Sequence, residues 1–290
     1  MTSAAAAIEM LPGISPGIYA AEDFRDIADI VYAQVGIVLP AGKAMLVYSR
    51  IAPLVRNSGS GTFATYIRLI RADPDELRQA ISAVTTNHTF FFREAHHFAH
   101  FAQEVRPGLL RALNAGQARR LWTAGCSSGE ETWSLIMTLL GEDRYEGRQV
   151  AGSNIRVLAS DIADNVLRKA RAGTYPADEL GDVPERLRQN WVKEAAGDTA
   201  SIAEEARRIV RFRTLNLLGE WPIATHFDAI FCRNVMIYFD HAAKERLVAR
   251  LAERLVPGGY LYIGHSEQAS GPAARTLEAV GPTIYRRRPH

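Results

Sequence analysis

Small and polar residues that can hold a ligand follow three of the apolar runs in this 290-residue chain. Residues 125–129, Gly-Cys-Ser-Ser-Gly, form a tight turn that leads to Glu130 at the start of a helical pattern. Such a turn can direct backbone N–H groups and a helix N-terminus at a ligand, as nucleotide-binding α/β folds do. Asp161 and Asn216 follow the next two runs. These residue types at strand ends predict a nucleotide-like ligand, with the turn cradling a phosphate.

Asp161 admits two interpretations. A carboxylate at a strand end can accept hydrogen bonds from ribose hydroxyls, whereas the same acid in a strand-to-helix turn can cap the following helix. Farther along, Asn216 can read an adenine edge through its amide, and Leu217 can cover the ring. The two interpretations predict different partners for the Asp161 carboxylate.

A polar and aromatic junction, residues 85–94 (TTNHTFFFRE), separates a helical part of the chain from a strand-containing part. In one interpretation it is a linker whose phenylalanines plug an interface, with Asn87 or Thr89 capping the next helix. In the other, Asn87, Thr89 and Arg93 point into a cleft, where ligand sites concentrate. A second dense segment, residues 232–239 (CRNVMIYF), follows the fourth apolar run, where a reactive centre is expected.

Histidines and cysteines raise two further hypotheses. His96 and His100 have the i, i+4 spacing of a metal site, but the acid of a zincin motif does not lie between them. Nearby aromatics favour packing instead, so we expect no metal. Cys126 and Cys232 fall at the ends of two apolar runs. If those strands are neighbours, thiol reagents should inhibit the protein and its ligand should protect it.

The elements that must position these residues alternate between strands and helices from residue 121 onward. Apolar runs indicate strands over 121–124, 155–160, 209–212, 227–232 and 260–263, and helical patterns cover 130–140, 162–171 and 241–255. This alternation predicts a parallel, doubly wound α/β sheet with ligands at the carboxyl ends of its strands. Residues 143–153 are expected to form a surface loop. Residues 191–203, with a Gly197-Asp198 turn, predict a small β-hairpin at the edge of the sheet.

The first third of the chain is helical in pattern and contains no convincing strand. Apolar residues recur at spacings of three and four over 22–35, 43–56, 63–70 and 74–84, which predicts a small helical bundle. Lys43, Arg50 and Arg56 make the second helix basic, either as a solvated face or as a docking surface for an acidic partner helix. Pro53 is expected to kink or interrupt that helix.

Composition limits the function classes. Lysine and arginine number 34 against 32 acids, so a net charge of +2 lacks the basic signature of nucleic-acid or membrane binding. Two distant cysteines argue for a reducing, cytoplasmic setting. No apolar run approaches the roughly 20 residues of a membrane span. The alanine-rich residues 1–20 are expected to be a disordered lead rather than a signal peptide.

Five motifs, in the same order, resemble those of the CheR-type chemotaxis protein methyltransferases over residues 23–287. They are TTNHTFFFRE from Thr85, AGCSSGEE from Ala124, ASDI from Ala159, NLL from Asn216 and CRNVMIYF from Cys232. The first and last motifs are highly specific, whereas the glycine turn alone is not. The resemblance implies an enzyme that methylates glutamates on chemoreceptor signalling helices with S-adenosylmethionine.

The same resemblance implies a fold and a site. The implied fold is a Rossmann-like class I methyltransferase domain (107–290) containing a small antiparallel β-subdomain (174–212), preceded by an all-α N-terminal domain (21–84) and a junction helix (85–106). The residues that would bind the cofactor are Asn87, Thr89, Arg93, Glu130, Asp161, Asn216, Leu217, Arg233 and Asn234. Arg93 and Tyr238 would lie nearest the methyl transfer. The 125–129 turn would then face the amino-acid tail and ribose of the cofactor rather than a phosphate.

The resemblance also implies the partners. The basic helix with Lys43, Arg50 and Arg56 would contact the cytoplasmic signalling helices of chemoreceptors, although Pro53 stands where family members can carry another basic residue. In some members the β-subdomain also holds a receptor C-terminal pentapeptide, which this sequence leaves open. We expect a cytoplasmic monomer that uses S-adenosylmethionine and neither a metal nor nucleic acid. The alternative is a methyltransferase of the same fold that acts on another protein or a small molecule.

Overall fold

A computed structural model describes residues 17–85 and 87–289, which divide into two compact units. The first unit contains the residues up to 85 together with Tyr238–Ala243, and the second contains Asn87–Ile237 and the chain from Lys244 onward. The Tyr238–Ala243 segment joins the first unit through backbone pairing. The Val38 amide donates to the Tyr238 carbonyl at 2.8 Å, and Ile37 forms an isolated β-bridge with Phe239. The helical unit therefore includes a piece of chain that the sequence had assigned to the α/β part.

Local signals set the ends of the helices in the first unit. These helices are α1 (Ala21–Val35), α2 (Ala44–Asn57), α3 (Phe63–Ala72) and α4 (Pro74–Val84), and each agrees within two residues with its predicted bounds. Gly36 takes a left-handed φ of 68° after α1, Thr62 caps α3, and Asp73 caps α4 ahead of its proline.

Pro53 does not interrupt α2 as expected, because the helix is continuous from Ala44 to Asn57. A proline removes the backbone hydrogen bond to the carbonyl four residues earlier, which here belongs to Ser49. Both Pro53 and Ser49 lie on the exposed side of the helix. Water can bond that carbonyl there, which lowers the cost of the missing hydrogen bond.

Most of the disordered lead predicted for residues 1–20 lies outside the described residues. Its described end is packed, since Tyr19 is 3% exposed and its ring centroid lies 4.5 Å from that of Phe63. The Tyr19 hydroxyl also donates to the Ala44 carbonyl at 3.2 Å. A buried aromatic ring with a bonded hydroxyl is an anchor, so the ordered chain begins before α1.

The second unit contains a large mixed sheet. Its strands, with those of a smaller sheet, are β1 (Arg119–Ala124), β2 (Ile155–Asp161), β3 (Thr174–Pro176), β4 (Val192–Glu194), β5 (Thr199–Ile202), β6 (Val210–Thr214), β7 (Phe227–Cys232), β8 (Leu255–Ile263), β9 (Leu277–Gly281) and β10 (Ile284–Arg287). The large sheet has the order β6-β2-β1-β7-β8-β10-β9. Its first five strands are parallel, as predicted, but β10 runs antiparallel to both β8 and β9. The prediction of a wholly parallel sheet is wrong at this edge, where a short C-terminal hairpin carries too little pattern to be read as strands.

The helices of the second unit pack around this sheet. They are α5 (Ala95–His100), α6 (Arg106–Asn114), α7 (Glu130–Leu140), α8 (Arg144–Gly152), α9 (Asp164–Ala172), α10 (Glu185–Trp191), α11 (Glu204–Arg208) and α12 (His241–Glu253), whose first residues belong to the helical unit. A π-helical turn (Phe101–Val105) joins α5 to α6.

Helix α8 occupies the stretch that was expected to be a surface loop. Asp143 caps it by accepting the Glu146 amide at 2.8 Å. Gly147 lies so close to the Trp191 ring that a Cβ there would come within 2.3 Å of it. Only Gly147 and Val150 are buried in this helix, so the sequence carries almost no apolar period. Tertiary packing, rather than pattern, makes the segment helical.

The predicted hairpin over 191–203 is confirmed as β4 and β5, but it belongs to a separate sheet. That sheet has the order β3-β5-β4 and is antiparallel throughout. Two buried aromatic residues, one in β3 and one at the end of α10 directly before β4, bond the turns after β1 and α7. Tyr175 donates to the Ser128 carbonyl and Trp191 to the Gly141 carbonyl, both at 2.7 Å. In the described ranges, no helix has the length and hydropathy of a bilayer-spanning segment.

Candidate active site

The carboxyl ends of four neighbouring strands bring the predicted ligand residues to one edge of the large sheet. Strand β1 pairs with β2 on one side and with β7 on the other, and β2 pairs with β6. The next strand of the sheet after β1 is β2, on one side, and the next after β7 is β8, on the other side. The strand order therefore reverses between β1 and β7, and open α/β sheets bind ligands at such a switch point. The strand-end prediction from the sequence therefore identifies one continuous edge.

The turn after β1 is tied to both of its neighbours. The amides of Gly125 and Cys126 donate to the Ser160 carbonyl at 2.7 and 2.9 Å. Gly125 has a φ of 77°, and a Cβ there would lie 2.3 Å from a methyl carbon of Val235 in the segment after β7. Only glycine permits both that backbone conformation and that approach.

Asp161 does not cap α9, because the N-cap residue of that helix is Ala163 and no side chain caps it. Its Oδ1 accepts the Ala163 amide at 3.0 Å, and its Oδ2 accepts the Ser127 amide at 2.8 Å. Burial raises the pKa of this carboxyl, and the backbone N–H groups of Ala163, Ser127 and Ile162 oppose the shift. A carboxylate has about four acceptor positions, so acceptor capacity remains for a ligand. The capping interpretation is wrong, and the ribose contact stays a prediction.

Glu130 lies buried at the start of α7 and is already bonded. The Ser128 hydroxyl lies 2.9 and 2.7 Å from its two carboxylate oxygens, and the Lys169 ammonium lies 3.5 Å away. Burial raises the pKa of Glu130, whereas Ser128 and Lys169 act in the opposite direction. Glu130 thus holds the turn as well as standing where a ligand is predicted.

Asn216 and Leu217 follow β6 in a compact turn. The Asn216 side-chain oxygen accepts the Leu218 amide at 3.0 Å, which orients the remaining amide group. Leu217 is buried, and its carbonyl accepts the Arg250 guanidinium at 3.1 Å. The local bonds fix this pair in place before any ligand binds.

The junction places its aromatics and its polar groups differently. The Phe91 ring is fully buried against Tyr175, with centroids 5.1 Å apart, whereas the Ser127 hydroxyl donates to the Asn87 carbonyl at 3.1 Å. Helix α5 begins after Glu94, whose carbonyl accepts the His97 amide. Neither Asn87 nor Thr89 caps that helix, so the capping expectation is wrong; Thr89 is half-buried.

Arg93 is half-buried at the end of the junction. One guanidinium nitrogen donates to the His88 carbonyl at 3.1 Å, and the group lies 5.7 Å from the centroid of the Phe90 ring. Both contacts are with its own segment. A planar guanidinium has five donors, so most of its hydrogen-bonding capacity can serve a carboxylate.

Arg233 is 1% exposed and lies within an ion-pair cluster. Its guanidinium is 3.0 Å from Glu131 and 3.4 Å from Glu94, donates to the Arg93 carbonyl, and lies over the Phe98 ring. The prediction gave this side chain to the cofactor. Two of its nitrogens, Nη1 and Nη2, bond protein groups, whereas Nε is buried and has no hydrogen-bond partner. A cofactor contact of Arg233 therefore stays a prediction.

Glu131 and Glu94, the two acids of this cluster, have pKa values shifted in opposite directions. Burial raises the pKa of Glu131 to about 7 although Arg233 lowers it. For Glu94, burial acts upward but Arg233, His265 and Asn234 outweigh it, and the pKa falls to about 2. Burial and Arg233 lower the pKa of His97 to about 3, so its 3.5 Å contact with Glu94 is not an ion pair at neutral pH.

The three basic residues predicted to dock a partner helix differ in solvent exposure. Lys43 and Arg56 are exposed, whereas Arg50 is half-buried and donates to the carbonyls of Val84 and Thr85 at 3.0 and 2.6 Å. Arg50 thereby closes the C-terminus of α4, where carbonyls lack partners within the helix. Tyr238 is half-buried and ends the short 3₁₀ turn after β7.

Comparison with known proteins assigns the chain to a family. The sequence profile described as "CheR methyltransferase, all-alpha domain" matches residues 22–85, and "CheR methyltransferase, SAM binding domain" matches 87–285. The chain belongs to the CheR methyltransferase family. Relatives include a probable chemotaxis protein methyltransferase of Rhizobium etli, 38% identical over 89% of this chain and 96% of that protein. Chemotaxis protein methyltransferase 2 of Pseudomonas aeruginosa is 39% identical over 92% and 93%.

As a CheR protein, the chain is an S-adenosylmethionine-dependent methyltransferase with an all-α part and a class I methyltransferase part. The edge described above fits that cofactor. Asp161 has carboxylate acceptors of the kind that ribose hydroxyls require, and Asn216 and Leu217 supply an amide and an apolar side chain of the kind that adenine requires. When bound, the cofactor supplies an electrophilic methyl group on a sulfonium.

Cys126 and Cys232 do lie on neighbouring strands, but the expectation of thiol reactivity is wrong. Both side chains are buried, at 1% and 0% exposure, and burial raises the pKa of both thiols. A protonated thiol without solvent access is inert. These cysteines pack the core beneath the CheR site.

The histidine pair has packing partners. His100 Nδ1 lies 2.9 Å from the Tyr262 hydroxyl, and His96 Nε2 lies 3.3 Å from the Pro282 carbonyl. Among residues 17–85 and 87–289, no group of three histidine, cysteine or acidic side chains is arranged to hold a metal ion.

Sequence reasoning missed three acids of the site edge, Glu94, Glu131 and Glu267. Glu267 is 8% exposed and accepts backbone amides after β7 and β8. The strand-end rule that singled out Asp161 applies equally to an acid after β8, so that signal was present. Glu131 had no such signal, because the second acid of a Glu-Glu pair at a helix start usually faces water.

Proposed function

We propose that this protein transfers a methyl group from S-adenosylmethionine to glutamate side chains of chemoreceptors, in adaptation of a chemotactic response. The products are glutamate methyl esters and S-adenosylhomocysteine. The observation that carries the proposal is the family match over both parts of the chain, 22–85 and 87–285, because a small-molecule enzyme would not need the all-α part with its basic helix α2. The named relatives are chemotaxis protein methyltransferases.

The chemistry asks little of the protein in proton transfer. A glutamate carboxylate, with an ordinary pKa of about 4.3, is ionised at neutral pH and needs no general base. The chain's own residues have to align the acceptor oxygen with the methyl group and exclude water. The predicted site accordingly contains no Asp–His or Cys–His pair.

Arg93 and Tyr238 are the residues we propose for this alignment. The Arg93 guanidinium would hold the acceptor carboxylate or the carboxylate of the cofactor, since planar donors match carboxylates in a bidentate geometry. The Tyr238 hydroxyl would orient the acceptor. The other proposed cofactor contacts remain Asn87, Thr89, Glu130, Asp161, Asn216, Leu217, Arg233 and Asn234.

Arg93→Ala is expected to lower kcat for methyl transfer by about a hundredfold, the usual effect of removing one oriented donor from a reacting centre. Its stability should change little, because the Arg93 side chain contacts the His88 carbonyl and the Phe90 ring of its own segment, and the carbonyl that accepts Arg233 belongs to the backbone. Labelled transfer to receptor and thermal unfolding measure the two quantities. The control is Arg156→Ala. Arg156 also bonds backbone carbonyls, but it lies at the N-terminal end of β2, away from the ligand edge. Near-normal transfer by folded Arg93→Ala would remove the proposed role.

We propose that the exposed face of α2 docks an acidic receptor helix through Lys43 and Arg56. Replacing both by glutamate is expected to raise KM for receptor about threefold to tenfold, most strongly at low salt, and to leave kcat unchanged. Arg186→Glu, a charge reversal at a 77% exposed arginine of the other unit, is the control. An equal KM change in that control would mean that net charge alone is responsible.

The proposal also covers the location of the enzyme, its oligomeric state and the division of the chain. We infer a cytoplasmic enzyme that acts as a monomer, with the functional division at the junction 85–106 and the β-subdomain at 174–212. A receptor C-terminal peptide, if it binds, would use the small sheet β3-β5-β4.

The test of the function is transfer of a tritiated methyl group from S-adenosylmethionine into membranes of the same cell. The proposal expects a labelled receptor that releases volatile methanol in base, as a glutamate ester does. Label in another protein or in a small molecule would favour the alternative, a methyltransferase of the same fold with a different acceptor.

A further inference from the structure

The segment after β7, residues 233–237, is held in an uncommon conformation. Asn234 has a φ of 58°, in the left-handed region that non-glycine residues seldom occupy. Its side chain donates to Glu94 at 3.2 Å. Strained residues of this kind persist only where the surroundings over-determine them, and they concentrate at functional sites.

A single buried carboxylate bonds the backbone of this segment. Oε1 of Glu267 accepts the Met236 amide at 2.7 Å, and Oε2 accepts the amides of Asn234 at 3.2 Å and Gly264 at 2.6 Å. Glu267 is 8% exposed, and it follows β8, the strand beside β7. One side chain therefore joins the ends of two neighbouring strands.

Close packing leaves this segment little freedom on its other sides. A Cβ at Gly264 would lie 2.6 Å from the Asn234 backbone nitrogen, and one at Gly125 would lie 2.3 Å from a Val235 methyl carbon. The segment thus lies between the end of β8 and the turn after β1. Because Gly125 begins the 125–129 turn, the position of the segment also affects the cofactor edge.

We propose that Glu267 is a positioning residue for methyl transfer, which fixes the 233–237 segment so that Asn234 meets the cofactor. The inference rests on the proposed function only for its cofactor. Glu267 contacts backbone amides and not the reacting atoms, so it acts through Asn234 and through the chain that leads to Tyr238. Charge-assisted bonds to backbone amides are about twice as strong as neutral ones, which suits a carboxylate to this task.

Asp228 provides the matched control, because it is a carboxylate on the same sheet with no link to the ligand edge. It lies at the start of β7, accepts the Arg120 amide at 2.8 Å and pairs with Arg119 at 3.3 Å. Glu267→Gln and Asp228→Asn each replace a carboxylate, buried at Glu267 and half-buried at Asp228, by the amide of equal size. Both variants should lose thermal stability, so stability alone does not separate positioning from a structural role.

The experiment measures S-adenosylmethionine affinity by calorimetry, without acceptor, and then kcat and KM for both variants. Glu267→Gln is expected to weaken cofactor binding about tenfold or more and to lower kcat at saturating cofactor, since one amide would face an N–H₂ group. Asp228→Asn should leave both unchanged at matched loss of stability. If Glu267→Gln fails to fold, Glu267→Asp, which withdraws the carboxylate by one methylene, should show a weakened affinity.

Unchanged affinity and kcat in the folded variant, or equal losses in Asp228→Asn, would overturn the positioning role. Because affinity is measured without a receptor, failure of the wild-type protein to label receptors would refute the proposed function and leave this inference standing.

Discussion

Replacement of Arg233 by leucine is expected to destabilise the methyltransferase unit by about 3–5 kcal/mol, the usual cost of leaving buried charges without their partner. The guanidinium lies 3.0 Å from Glu131 and 3.4 Å from Glu94, and all three groups are largely shielded from water. Leucine restores apolar volume next to Phe98 but offers no donor to either acid or to the Arg93 carbonyl.

The loss should depend on pH, and its sign follows from the two acids. In the wild-type protein Arg233 holds the pKa of Glu94 at about 2, below its ordinary 4.5. That carboxylate therefore contributes stability above pH 4.5, which is lost as pH falls toward 2. Without Arg233, Glu94 and Glu131 both protonate at higher pH, which relieves their unpaired charge. The difference in stability between wild type and variant should thus be largest above pH 7 and shrink in acid.

Denaturant unfolding of Arg233→Leu at several pH values measures this effect. Arg148→Leu is the control, since Arg148 is 56% exposed and its pair with Glu205 should be worth about 0–1 kcal/mol. A loss below about 1 kcal/mol for Arg233→Leu, or a loss that grows in acid, would contradict the assignment of Arg233 to a buried ion-pair cluster.

Asp161→Ala is expected to weaken S-adenosylmethionine binding about a thousandfold, because charge-assisted hydrogen bonds are worth about 1.5–3 kcal/mol each. Two kinds of contact are lost together. The ribose loses the carboxylate that we propose as its partner. The Ser127 amide in the turn after β1 and the Ala163 amide before α9 lose their acceptors. Affinity should fall further than protein stability.

Calorimetric titration of cofactor into the folded variant is the measurement. Asp164→Ala is the matched control, because Asp164 is the first residue of α9 and accepts the Thr214 hydroxyl instead. Unchanged affinity in Asp161→Ala would restrict this residue to bonding the backbone of the two turns. An equal loss in Asp164→Ala would point to a general disturbance of the connection.

The helix ends that depend on neighbouring residues could be predicted from the sequence. Gly36, Thr62 and Asp73 end or begin their helices by hydrogen bonds to residues at most four positions away, and Pro74 has the fixed φ that suits a first helical residue. The five parallel strands were predictable from apolar runs, and the strand-end rule placed Asp161 at the ligand edge. These features depend on neighbours in the sequence or on a general property of open sheets.

Other features depend on partners far along the chain. Helix α8 forms where few apolar residues mark a helix, because Gly147 packs against Trp191. Arg233 bonds Glu131 and the Arg93 carbonyl, which lie 102 and 140 residues away in the sequence. The motif that contains Arg233 therefore does not identify the groups that bond it.

The sequence alone determined the fold class, the family and the strand ends at which the ligand edge forms. Tertiary structure decided which polar groups at that edge remain open to a ligand. Arg233 and Glu267 bond the surrounding chain, whereas Asp161 keeps acceptor capacity beyond its bonds to the Ser127 and Ala163 amides. The physical reason is that the partners of a buried charge come from residues far apart in the sequence, and the periodicity of the sequence does not contain that information.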